Sequence, residues 1–176
     1  MKSVLISIQP KWCELIASGK KTVEVRKTKP KIDMPFKCYI YCTYGEGLIE
    51  ANDEVLPNHL IEYKVSKGKT WGNCCNGKVI GEFVCDFIYH NISFDCSQSC
   101  VSVSELKEYS NGKPLYAWHI SDLVIYDKPK ELSEFFYACD KPKGTDCSEC
   151  LDRRENKCKA ITRPPQSWCY VEEVDR

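Results

Sequence analysis

Gly19-Lys20-Lys21-Thr22-Val23-Glu24-Val25-Arg26 is the stretch on which the reading of this chain turns. It follows a segment in which Pro10 suits a first helical turn and Trp12, Leu15 and Ile16 recur at helical spacing, predicting a helix of about ten residues. Gly19 stands where a left-handed C-terminal cap belongs. The β-branched residues beyond it predict a strand, on which Lys21, Val23 and Val25 face one way and Thr22, Glu24 and Arg26 the other. A carboxylate thus stands beside a guanidinium. The first can accept hydrogens from a base edge, and the second suits a phosphate or a stacked base. The alternative for the same residues is a plain ion pair on a solvated strand, contributing ~0.2–1 kcal/mol.

Outward from this stretch the period is mostly two. Val4, Ile6 and Ile8 alternate with Ser3, Leu5 and Ser7, as in a strand covered on both faces. Phe36, Cys38, Ile40 and Cys42 alternate with Lys37, Tyr39, Tyr41 and Thr43. Lys78 to His90 is a longer β-rich run with a glycine inside it, Leu115 to Ile120 and Leu123 to Tyr126 add further strands, and Ser167 to Glu172 closes the chain. The polar stretch 44–77 reads as a surface excursion carrying a helix near Leu56 to Tyr63. Strands without a strand-helix-strand rhythm predict an α+β, mostly β architecture built on a small mixed sheet or barrel, not a doubly wound one.

The composition is that of a folded domain: 176 residues, 43% hydrophobic and 28% charged, which argues against disorder and against two large domains. Apolar runs such as Val79 to Ile88 are broken by Gly81, Glu82 and Asp86, far short of the ~20 residues of a spanning helix, so no membrane association is expected. The opening MKSVLISIQPKW lacks the apolar core of a secretion signal, which predicts a cytoplasmic protein. Zero net charge conceals a basic end: residues 1–37 hold nine Lys/Arg against three Asp/Glu. Lys20, Lys21, Arg26, Lys27, Lys29, Lys31 and Lys37 crowd one stretch of it, either a phosphate footprint or a solvated basic face.

In a reducing compartment, 13 cysteines are assigned to burial and metal binding and not to a disulfide framework. Cys139, Cys147, Cys150 and Cys158 lie in a Lys- and Asp-rich segment with almost nothing apolar to order it. A CxxC pair with two flanking thiolates matches a structural zinc site, whose binding would supply folding energy. Cys74, Cys75, Cys96, Cys100 or Cys169 could replace an outer ligand; a loop of free thiols is the alternative, and an iron–sulfur cluster a lesser one because the usual ferredoxin spacings are absent. Such a closed site staples and does not catalyse.

The motif GxKxxExR, set between a helix and a strand, resembles that of the ASCH (activating-signal-cointegrator homology) domain in the PUA-like superfamily. The leading strand with Pro10 and Trp12, the runs Gly77 to Asp86 and Tyr116 to Leu123, and the closing Pro164 to Val171 share in the likeness. It implies a small, partly closed PUA-like β-barrel with flanking helices over residues 1–137. A Cys-rich, zinc-stapled insertion would fill 138–162, and the closing barrel strand 163–176. It also implies a cleft lined by Lys21, Glu24 and Arg26 that holds RNA or a nucleotide.

Aromatic side chains would complete such a site by stacking on a base, ~1–3 kcal/mol each. Of Trp12, Trp71, Trp118 and Trp168, at least two are expected in the core; Trp12 and Trp71 are the better candidates for contact. With Lys20 and Lys27 at the rim, these complete the nucleic-acid-binding set.

Three functions compete. The first is a monomeric RNA- or nucleotide-binding module. The second is a hydrolase of RNA or a modified nucleoside with Lys21 and Glu24 as base and acid. Small family members resembling this chain include amidohydrolases acting on acetylated cytidine and proteins assigned ribonuclease activity, although the position those amidohydrolases fill with threonine is Glu24 here. The third is an adaptor whose zinc-stapled loop contacts another protein. His59, His90 and His119 form no evident relay, and His119 reads as a partly buried structural residue.

Overall fold

The computed structural model describes residues 2–44, 75–139 and 160–174. Among these residues, eight strands and two α-helices run in the order β1 (Lys2–Ile8), α1 (Pro10–Ala17), β2 (Val23–Arg26), β3 (Phe36–Cys42), β4 (Lys78–Cys85), β5 (Ile88–His90), α2 (Val103–Ser110), β6 (Tyr116–His119), β7 (Ser121–Glu131) and β8 (Trp168–Glu172). Five strands form one sheet in the order β7-β4-β3-β1-β8, and three form another in the order β2-β6-β5. β1 pairs with β3 in parallel; every other ladder is antiparallel. The fold is mixed α+β with strands predominating.

The alternation along β1 has a physical basis. Val4, Ile6 and Ile8 enter the largest core, with Phe36, Cys38, Ile40, Ile80, Phe83 and Trp118. Leu5 lies on the opposite face with Tyr39, Tyr41, Val79, Phe135 and Val171. Both faces of the sheet are therefore packed, and every residue of β1 after Lys2 is buried. A side chain such as Phe83 or Phe135, fully removed from water, contributes about 1.5–3 kcal/mol.

The expected barrel does not close. The glycine-bearing run 78–90 is divided at Asp86 and Phe87 between β4 in one sheet and β5 in the other, and Ile120 makes the same transfer between β6 and β7. Two strand pairs thus bend away from the large sheet and leave β7 and β8 as its edges. The gap between those edges is crossed by covalent chain: a 3₁₀ turn at Leu132–Glu134 leads to Phe136 and Tyr137, which form isolated bridges to Ala160 and Val171. The helix Val103–Ser110, not predicted from periodicity, is capped by reciprocal contacts of Ser102 and Glu105. The 44–77 excursion lies almost wholly outside the described residues. Among those described, no helix is long and apolar enough to cross a membrane.

Burial accounts for five of the cysteines: Cys13, Cys38, Cys42, Cys75 and Cys85 are all buried. Burial pushes Cys85 up to about 12 and raises Cys13 and Cys38 well above the usual thiol range. Cys139 is exposed; Cys147, Cys150 and Cys158 lie outside the described residues, as does the adaptor surface assigned to that loop.

At pH 8 a chromogenic thiol reagent should rapidly label no more than eight of the 13 cysteines, because the five buried ones wait for unfolding; a larger fast phase would contradict this core. Gly81 supplies a second test. A Cβ there would press into the Val124 carbonyl oxygen across the β4–β7 ladder and lie 3.1 Å from the Ile125 Cα. Gly81→Ala should lower stability by about 1–3 kcal/mol in urea titration, since backbone gives way less readily than a side-chain tip.

Candidate functional site

The helix Pro10–Ala17 ends as its sequence predicts. Gly19 adopts φ +73°, and the amides of Gly19 and Lys21 donate back to the carbonyls of Ile16 and Leu15 at 2.9 Å. This reversal changes where Lys21 goes. Strand alternation would place it beside Val23 and Val25, but β2 begins only at Val23. Val23 and Val25 pack into a separate core with Leu106, Leu115 and Ala117. Lys21 instead shares a pocket with Glu24, three residues on.

There the three motif side chains meet. Glu24 takes Lys21 Nζ on Oε2 at 3.3 Å and an Arg26 terminal nitrogen on Oε1 at 3.0 Å. Lys21 also donates to the Ser99 carbonyl at 2.7 Å, and Arg26 to the Ser7 carbonyl at 2.5 Å. Side-chain exposure is 2% for Lys21, 8% for Glu24 and 12% for Arg26, so this is a buried triad and not a solvated surface pair. One donor remains unused: Arg26 Nε is buried with no hydrogen-bond partner.

The triad lies in a cavity of about 360 Å³ bordered by Trp12 from α1 and by Glu105 and Tyr109 from α2. Lys21 Nζ sits 5.1 Å from the Trp12 ring centroid. Burial raises the Tyr109 phenol above its usual range; Arg26 opposes the rise and Glu24 adds to it. The Ser102 hydroxyl and amide both donate to Glu105 and hold its carboxyl below the usual carboxylate range. Two carboxylates, two cations and two aromatic rings thus border one concavity of the size that small ligands occupy.

Of the sequence-selected residues, Trp12, Lys21, Glu24 and Arg26 come together. Lys20 is exposed and outside the cavity lining, and Lys27 rests over the Tyr109 ring at 4.5 Å, beside the cavity. Trp71 lies outside the described residues. Trp118 is fully buried, edge-on to Phe36, and Trp168 packs against the same core. His119 pairs with Asp86 at 2.7 Å; its ladder partner is Val23, which places it on the face of β2–β6 opposite Glu24. Glu105, Tyr109 and the Ser99 carbonyl were not singled out by sequence. The Ser102-x-x-Glu105 spacing was the available signal, since it marks a helix start whose next turn reaches the cavity. Among the described residues, no group of three His, Cys, Asp or Glu is arranged to hold a metal.

A sequence model of the ASCH domain matches residues 6–136. The chain belongs to the ASCH-domain family. Its fold is accordingly PUA-like, of a family associated with RNA binding. The ASCH protein of Zymomonas mobilis is similar in structure, with a TM-score of 0.57 at 20% identity over 97% of this chain and 88% of that one. A tyrosine-to-phenylalanine mutant of that protein gives 0.58 at 19% identity, covering 98% and 92%. A serine-to-alanine mutant gives 0.55 at 19%, covering 97% and 89%. At such identity the likeness carries the fold and not the activity. No curated protein matches the chain.

Within this ASCH domain, Glu24 neutralises two cations that have little access to water. Glu24→Gln should therefore cost about 3 kcal/mol of stability, as breaking one side of a buried pair does. Adding Lys21→Met should restore part of that loss by removing a stranded charge. Urea titrations of both variants give the measurement, and a double variant no more stable than Glu24→Gln would refute the account.

Proposed function

We propose that this ASCH domain binds RNA or a nucleotide by taking one base into the cleft formed by Trp12, Lys21, Glu24, Arg26 and Tyr109. The observation that carries the reading is the convergence of Lys21, Glu24 and Arg26 inside a cavity of about 360 Å³, with one Arg26 N–H still unpaired. A base edge presents N–H donors beside carbonyl acceptors. Glu24 and Glu105 can take the former and Arg26 the latter, while the indole of Trp12 and the phenol of Tyr109 offer π faces. The Ser7 and Ser99 carbonyls hold the two cations in place, so the polar groups are positioned before a ligand arrives.

The contact between Lys21 and Glu24 favours a second reading, an acid–base pair in a hydrolase acting on RNA or a modified nucleoside. Both readings place the ligand in the same cleft and differ in turnover.

Titration with the four nucleoside monophosphates, followed by tryptophan fluorescence, should show saturable binding to the native chain. Trp12→Ala should weaken it roughly tenfold or more, the loss of one stacking partner. Equal affinity in the variant would remove Trp12 from the site, and an absence of saturation with all four would remove the nucleotide. Chromatography of RNA and acetylated nucleosides after incubation separates the readings: a product that disappears with Lys21→Ala establishes the hydrolase, and unchanged substrate establishes the binder.

A further inference from the structure

From the geometry of residues 27–31 we infer that the ligand is a single-stranded polynucleotide threaded from the cleft along an external lysine rail into a second cavity. This rests on the base-binding reading above and extends it from one nucleotide to a polymer.

The segment after β2 joins neither sheet and is held to the body at separate points. Thr28 Oγ1 accepts from Trp168 Nε1 at 3.0 Å, and Pro30 is buried. Lys27, Lys29 and Lys31 are exposed. The first two rest over tyrosine rings, Lys27 at 4.5 Å from the centroid of Tyr109 and Lys29 at 5.7 Å from that of Tyr116. The Lys31 amide donates to the Tyr170 hydroxyl at 2.6 Å, which pins the far end. Lys29 also has His90 Nε2 at 3.5 Å. The rail is thus a row of exposed ammonium groups on a strap anchored to β6 and β8, with an aromatic ring beside each anchor.

Both ends of the rail open into cavities. Arg26 lines the first; Lys31 lines a second of about 440 Å³, with Lys2, Ile32, Asp33 and Met34. β1 connects the same two places, with Ser7 at the first cavity and Lys2 at the second. At roughly 3.3 Å per strand residue, their separation is about 17 Å. A stacked strand advances roughly 3.4 Å per nucleotide, so about five nucleotides reach from one cavity to the other. The cleft is electrically balanced by Glu24 and Glu105, whereas the rail is cationic. Base recognition is therefore placed in the cleft and phosphate attraction outside it.

The test uses the full chain, fluorescein-labelled oligoribonucleotides of randomised sequence with 2, 4, 6 and 8 residues, and the nucleoside monophosphates. For the native protein, affinity should rise at least tenfold between 2 and 6 residues and then level off. In the triple variant Lys27→Gln, Lys29→Gln, Lys31→Gln, the length dependence should vanish and the salt slope for the octamer fall by about two, at ~0.7 per phosphate lost. In the double variant Lys29→Gln, Lys31→Gln, which spares the cleft rim, monophosphate binding should stay unchanged. Equal octamer affinity in native and triple-variant protein, or native affinity that does not grow with length, overturns the rail whether or not monophosphates bind. Octamer binding that falls in the triple variant but survives Trp12→Ala and Glu24→Gln keeps the rail and overturns the cleft. A deoxyribose octamer that binds equally tightly supports a rail that reads phosphates on either sugar.

Discussion

The constraint on which the site depends is that one carboxylate, Glu24, is shared by two cations that the fold has taken out of water. Lys21 and Arg26 each hold a backbone carbonyl as well, Ser99 and Ser7, so the triad links the turn after α1, the strand β2, the end of β1 and the segment before α2. A buried charge without these partners would be costly, and a buried pair with poor geometry would gain little over apolar replacements. Here the carbonyls supply the additional bonds such a pair needs. The same bonds leave the triad little freedom to rearrange, so it presents fixed donors and acceptors to whatever enters the cavity.

That arrangement assigns different tasks to neighbouring charges. Inside the cleft the acidic and basic groups nearly balance, which suits recognition of a polar, uncharged base edge. Outside, Lys27 and Lys29 rest over tyrosine rings, and among the described residues no ion pair joins them or Lys31 to a carboxylate. Exposed cations of this kind attract phosphates at long range and weaken with salt. The basic excess of the first 37 residues is therefore partitioned: Lys21 and Arg26 turn inward onto Glu24, whereas Lys20, Lys27, Lys29 and Lys31 face solvent.

The open architecture is what makes room for the cleft. Because β4 passes into β5 and β6 into β7 through short bends, the three-stranded sheet carrying β2 turns away from the five-stranded one. α1 and α2 then flank the mouth between them. A fully hydrogen-bonded barrel would have spent the same strands on closure. The two linking amides, Ile120 to the Thr22 carbonyl and His119 to the Phe87 carbonyl, hold the bend at both sides of β6.

Much of the fold was legible because β-strands write their burial in alternation. β1 and β3 follow the residues that their period of two picks out, and Gly19 marks the end of α1 because it alone there takes φ +73° without strain. The motif also announced its chemistry, since Glu24 and Arg26 on one strand face must be neighbours. Local sequence could not determine the direction of Lys21, which depends on where the helix cap releases the chain and on a carbonyl 78 residues away at Ser99. It could not bring Tyr109 to the cleft, tell the core indole Trp118 from the cavity indole Trp12, or decide that the barrel stays open. Those are long-range contacts, set by which faces must be buried together once the sheets pack. Sequence determined the elements and their polarity; tertiary packing decided which charges lost their water, and with that, where a ligand can be held.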